Sequence, residues 1–155
     1  MRILITGAQG PAGLALARQL KGTNVEVIGV DMAEPKPGNR QLFAATETIC
    51  RADDPSLVPE LNELIEKYQI DLVIPTVQEE LPILSATSKL FSAPVLISPV
   101  VGVELADDKL FTAWALRNAG IAVPQTDPLG GRFDTDLLAE TPTPYVIKPR
   151  RSRGG

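Results

Sequence analysis

The sequence predicts an α/β fold built on a parallel sheet, and three observations carry that expectation. Short apolar runs alternate with segments of helical periodicity along the first 98 residues. The runs are apolar without a polar alternation, as strands covered by helices on both faces should be. Glycines fall at Gly7, Gly10 and Gly13, between the first run and the first helical pattern. Without Cβ, such a turn can take positive φ and let a helix sit close to its strand.

Each element follows from its own pattern. Ile3, Leu4 and Ile5, ending in Thr6, form the first strand, and Leu14, Leu16, Ala17 and Leu20 give the first helix its apolar stripe. Pro11 suits the first helical turn because it has no N–H that needs a partner. Val25–Val30 is the second strand, ending at Asp31, and Glu34 to Asn39 reads as an exposed, mobile loop. A weak strand is expected at Thr48–Cys50. Ser56 to Tyr68 reads as a helix with Leu57, Leu61, Leu64 and Ile65 on one face and Glu60, Glu63 and Glu66 off it. Asp71–Pro75 and Pro94–Ser98 read as strands, with one helix, Gln78–Phe91, between them.

Beyond Ser98 the pattern turns helical. Val100–Leu105 and Asp107 to Asn118 are expected helices, the second with Leu110, Phe111, Trp114 and Ala115 on one side and Gly120 closing it. Val123-Pro124 is extended, Leu129-Gly130-Gly131 a turn, and Thr135–Glu140 a short helix. Tyr145 to Lys148 reads as a last strand, followed by the basic glycine loop RRSRGG.

Composition narrows the chemistry. The 155 residues are 44% hydrophobic and 22% charged, which suits a soluble domain with a real core. No apolar stretch approaches the ~20 residues that span a bilayer, and no targeting pattern precedes the first strand, so a cytoplasmic protein is expected. Zero histidines removes Ser-His triads, the usual zinc sites and imidazole acid–base catalysis. The single cysteine, Cys50, forms no internal disulfide and reads as a small apolar side chain. Net charge is −4, but Lys148, Arg150, Arg151 and Arg153 carry +4 at the end, leaving −8 on residues 1–147. That body repels nucleic acid, while the basic segment attracts an anion.

Several residues carry candidate chemistry. The spacing G-x-x-G-x-x-G suits a dinucleotide site, other doubly wound domains and a purely structural turn alike. Asp31 lies where a ribose-binding acid sits in a dinucleotide fold, and equally where a solvated turn aspartate would. Tyr-x-x-x-Lys, needed by short-chain dehydrogenases, is missing, since Leu72 and Pro149 stand four places after Tyr68 and Tyr145. Thr76 and Glu79 read as a capping box, and the segment serves either as a cap alone or as a cap with Glu80 facing a ligand amine or guanidine at the sheet edge. Lys109 opens its helix, where a cation is slightly unfavourable, and is either incidental and solvated or held by an anion such as phosphate. Lys148 leaves an apolar segment just before a loop whose Arg150, Arg151, Ser152 and Arg153, with the amides of Gly154 and Gly155, could fold over a polyphosphate or equally be a frayed basic tail.

In order, GAQGPAG, VIGVDM, RADDP, IDLVIPTVQEEL, ADDK, AGIAVPQT and PYVIKPRRSRGG resemble the N-terminal part of ATP-grasp ligases, carbamoyl-phosphate-synthase-like members in particular. The resemblance implies a Rossmann-like pre-ATP-grasp domain, three-layered about a parallel sheet, over residues 1–98. Residues 99–155 are then linker helices and the truncated start of the ATP-binding region. It further implies that Lys109 and Lys148 contact the nucleotide phosphates and that the loop starting at Arg150, with Ser152, Gly154 and Gly155, closes over them; Gly7, Gly10, Gly13, Thr76 and Glu80 are the candidates for the substrate side. The implied chemistry is Mg-ATP activation of a small carboxylate as an acylphosphate for attack by an amine. No magnesium ligand is expected before residue 155, and this chain alone is expected to show no turnover and weak ATP binding. A homodimer or a complementing C-terminal chain are the implied partners. Two other classes stay open, an NAD(P)-binding domain of the extended short-chain dehydrogenase type and a non-catalytic half that works with a second chain.

Overall fold

The computed structural model describes residues 1–128 and 144–151. The chain divides into two compact units, Met1–Val100 and Val101–Gly155.

The first unit is a four-stranded parallel sheet of β1 (Arg2–Thr6), β2 (Glu26–Asp31), β3 (Ala45–Thr48) and β4 (Leu72–Ile74), in the order β3-β2-β1-β4. β1 and β2 pair from Arg2 with Glu26 to Thr6 with Val30. β4 lies on the other side of β1, with Leu4 opposite Val73. α1 (Pro11–Leu20) follows β1, and α3 (Leu57–Tyr68) precedes β4. Strand pleating sends alternate side chains to opposite faces, and two cores result. Leu4, Ile28, Val30 and Val73 meet Leu57, Leu61 and Ile65 of α3 and Leu84 of α4 (Leu81–Ala86). Ile5 and Val27 meet Ala17 of α1 and Phe43 on the other face. The expected three-layer α/β architecture is thereby present.

The differences in this unit have local causes. The weak strand is not at Thr48–Cys50; β3 runs Ala45–Thr48, and its side chains are only half-buried, so no apolar run announced it. The segment expected as one helix from Gln78 to Phe91 is a 3₁₀ turn (Gln78–Glu80), α4, and a second 3₁₀ turn (Ser88–Leu90). Pro82 stands at the start of α4, where its missing N–H removes a bond back to the preceding turn. Pro94–Ser98 forms a single parallel bridge, Val73 with Val95, rather than a full strand. The loop after β2 holds a single turn of helix, α2 (Pro37–Arg40).

In the second unit, α5 (Val100–Asp107, its first residue counted with the first unit) is followed by α6 (Lys109–Asn118). α6 buries Leu110 and Ala113, whereas Phe111 and Trp114 are each 41% exposed, so the expected apolar side is rotated. Ala119 caps α6, and Gly120 after it takes φ +77°, the left-handed conformation expected of it. Tyr145–Lys148 is not a strand, and its residues are exposed. No strand pairs with it among the described residues. The expected turn at 129–131, the helix at 135–140, and Ser152, Gly154 and Gly155 lie outside the described residues.

Candidate functional site

The candidate residues form two groups, one in each unit. The first lies at the carboxyl edge of the sheet, between β1 and β4, where strand order reverses and doubly wound folds open a crevice.

The glycine turn is built by close approach. Gly7 takes φ +59°, and a Cβ there would meet the Val77 and Thr76 side chains at 2.5 and 2.9 Å. Gly13 lies buried in α1, where a Cβ would be 2.5 Å from the Gly7 carbonyl oxygen and 2.9 Å from Ala8 Cα. Gly10 is the N-cap of α1 and donates to the Gly7 carbonyl at 2.9 Å. These glycines are therefore fixed by packing first.

Asp31 is engaged by backbone. Its Oδ2 accepts from Gln9 N at 2.8 Å, and its Oδ1 from Ala33 N at 3.2 Å. The Gln9 side chain continues the link, its Oε1 accepting from Lys36 N at 3.3 Å and Asn39 Nδ2 at 3.2 Å. The loop after β2 is thus tied onto the glycine turn. Gln9 carried no sequence signal for this role, because its partners lie 27 and 30 residues away.

Thr76 does not form the expected capping box with Glu79. Its hydroxyl donates to the Thr6 carbonyl at 2.6 Å, and its N–H donates to Thr6 Oγ1 at 3.2 Å. The 3₁₀ turn that follows has Val77 at its N-cap with no side-chain cap. The pair stitches the end of β1 to the segment leaving β4. Glu80, four residues on, is 4% exposed, a buried carboxyl at the end of that turn.

The second group surrounds the start of α6. Asp108 is the N-cap of α6, and its Oδ1 accepts from Leu110 N at 3.0 Å and Phe111 N at 3.2 Å. Arg150 forks onto the same carboxylate, Nε to Oδ1 at 3.1 Å and Nη2 to Oδ2. That guanidinium holds the Asp108 carboxyl below the usual range, aided by the two amides and opposed by burial. Lys109 N donates to the Arg150 carbonyl at 3.0 Å, and the Arg150 guanidinium lies 4.8 Å from the Phe111 ring centroid. Lys109 and Arg150 are thus brought together, and the exposed Lys148 lies two residues before Arg150. Arg151 faces Asp107 at 3.5 Å.

Of the basic side chains in this group, Arg150 pairs with Asp108 and Arg151 with Asp107. Among the described residues no group of three or more acidic or cysteine side chains could hold a metal ion, and no helix is long and apolar enough to cross a membrane.

Residues 3–90, more than half the chain, match the model of the NAD dependent epimerase/dehydratase family. The chain belongs to that family. The match falls within the first unit and leaves the second outside it. No curated protein matches by sequence.

Solved structures share the fold over more of the chain. Glycinamide-RNase-transformylase T from Mycobacterium tuberculosis has a TM-score of 0.58 at 20% identity, over 81% of this chain and 37% of that one. An L-amino acid ligase from Bacillus licheniformis has 0.59 at 18%, over 79% and 31%. The biotin carboxylase subunit of a pyruvate carboxylase has 0.59 at 14%, over 84% and 30%. Each likeness covers more residues than the first unit holds. This chain spans about a third of the length of those proteins.

Proposed function

We propose that the chain is the N-terminal portion of an ATP-dependent carboxylate–amine ligase of the ATP-grasp kind. The first unit is read as its Rossmann-like domain, and the second as the opening of its ATP-binding region. The observation that carries this reading is the meeting of Lys109 with Arg150 at the start of α6, two residues from Lys148. Phosphoryl transfer rests mainly on positioning and charge neutralisation, which lysines and a metal supply without histidine. When bound, ATP supplies the phosphoryl group that activates a carboxylate. Lys109 and Lys148 would hold its phosphates. Gly7, Gly10, Gly13, Thr76 and Glu80 form the substrate side, Glu80 toward an amine or guanidine. Fold likeness to an L-amino acid ligase over 79% of the chain supports the same reading.

A second reading follows from family membership. The G-x-x-G-x-x-G turn and Asp31 could receive a nicotinamide dinucleotide in the first unit. Against it, both Asp31 oxygens accept backbone amides, and Gln9 ties the neighbouring loop across that edge.

One titration separates the two. Trp114, the single tryptophan, sits on α6 with its ring centroid 5.8 Å from that of Phe111. Mg-ATP is expected to change Trp114 emission saturably but weakly, with Kd about 1 mM or above, and Lys148→Ala to remove the change. NADPH emission is expected to stay as in buffer. Enhanced NADPH emission with no response to Mg-ATP favours the dinucleotide reading instead.

A further inference from the structure

The start of α6 has the appearance of an anion site, a helix N-terminus beside two basic side chains, but its donors are already spent. Lys109, Leu110 and Phe111 are its first three residues. Their amides donate to the Arg150 carbonyl, Asp108 Oδ1 and Asp108 Oδ1 respectively. Thr112 N then makes the first bond along the helix, to the Asp108 carbonyl at 2.8 Å. The amides that a phosphate would use at a helix start are thus satisfied by the protein.

Arg150 is equally committed. Two of its nitrogens fork onto Asp108, its face covers Phe111, and its carbonyl accepts from Lys109. Capping alone does not need this arrangement, since a serine or asparagine satisfies the same amides. A carboxylate 2% exposed, with a forked guanidinium, adds charge and geometry to the cap.

We infer that Asp108 and Arg150 are a positioning pair: the Asp108 carboxylate acts through Arg150 to clasp the Lys148–Arg151 segment onto the first turn of α6. Pro149 has its φ fixed by its ring, so anchoring Arg150 also restricts Lys148. Arg150 is then a strut rather than a phosphate ligand, and the contact to phosphate falls to the lysine side chains. The functional meaning of the clasp rests on the ATP reading above, but its existence does not.

The test is a double-mutant cycle read by limited trypsin digestion, following the cut after Arg151 by mass spectrometry. Asp108→Asn keeps a capping oxygen for Leu110 and Phe111 while removing the charge that holds Arg150. Arg150→Gln removes the other partner. Cleavage after Arg151 follows the population in which the segment has opened, so each variant is expected to raise it on the order of tenfold. The double variant should rise no further than either single one. Far-UV circular dichroism and Tm should stay near wild type for Asp108→Asn. Unchanged cleavage in either single variant, or additive effects in the double, overturns the clasp. So does a fall in Tm for Asp108→Asn as large as for Asp108→Ala, which would reduce Asp108 to a cap. Mg-ATP titration of the same proteins is read separately. Weaker binding in Asp108→Asn at unchanged Tm shows that the clasp positions Lys148. Absence of any wild-type response with the cleavage cycle intact removes the ATP reading and leaves the clasp standing.

Discussion

Replacing Gly13 by alanine pits two calculable effects against each other. In an exposed helix interior, glycine to alanine stabilises by about 1 kcal/mol, because the backbone loses less entropy on folding. Gly13 is buried, and an added Cβ would stand 2.5 Å from the Gly7 carbonyl oxygen, 2.9 Å from Ala8 Cα and 3.1 Å from the Gly7 carbonyl carbon. All three are backbone atoms, so no side chain can rotate away. A normal carbon–oxygen contact therefore requires α1 to lift from the turn by roughly 0.7 Å, in a core packed as densely as a crystal. Overpacking costs about 1–3 kcal/mol, and because only backbone can yield here the cost falls at about 2–3. The helix gain offsets part of it, leaving Gly13→Ala destabilised by about 1–2 kcal/mol. Urea denaturation followed by circular dichroism measures this. Gly38→Ala is the control, since a Cβ there meets nothing within 4 Å, and it should lie within about 0.5 kcal/mol of wild type. A Gly13→Ala protein as stable as wild type, or more stable, refutes the view that close packing sets the glycine spacing.

Two further expectations concern titratable groups. Glu47 on β3 accepts from Lys67 Nζ at 2.6 Å and from the Tyr68 hydroxyl, both on α3, and these bonds lower its pKa, Lys67 foremost. A lowered folded pKa means stability that is full above the ordinary Glu value of 4.5 and is lost as pH falls through the folded one. Tyr68→Phe should therefore cost about 1 kcal/mol at pH 7 and flatten the acid limb of a pH–stability curve; an acid limb identical to wild type contradicts this. Cys50 has its thiol pKa pushed from 9.0 to about 11, by burial first and then by Glu60. At pH 8 its thiolate fraction, and with it the rate of alkylation by iodoacetamide, should be about 100-fold below that of a free thiol. Alkylation of the folded protein at the rate of a model thiol is the contrary result.

What the sequence revealed depended on whether a signal was periodic and local. Leu57, Leu61 and Ile65 mark α3 because a buried helical face repeats every three or four residues, and Ile3, Leu4 and Ile5 mark β1 because both faces are covered. β3 lies at Ala45–Thr48 and not at the expected Thr48–Cys50 because its partly buried residues form no apolar run to mark its start. Thr76 was misread because T-x-x-E is a local pattern, whereas its hydroxyl is drawn to Thr6, 70 residues away. The same blindness hid the Arg150 fork on Asp108, a pairing across 42 residues, and the Gln9 link to the loop after β2. Lys109 could be singled out for an unfavourable helix position, but its amide bond to the Arg150 carbonyl could not be foreseen. Residue type shows what chemistry is on offer, and only the fold shows which groups meet.

The central claim, that nucleotide phosphates are met by the second unit and not by the glycine turn, is tested most directly by hydrogen–deuterium exchange with each ligand. With saturating Mg-ATP the account predicts slowed exchange in α6 and in residues 144–151, and no change from Gly7 to Leu14. Slowed exchange from Gly7 to Leu14 and around Asp31 with NADPH or NAD⁺, and none in α6 with Mg-ATP, would contradict it.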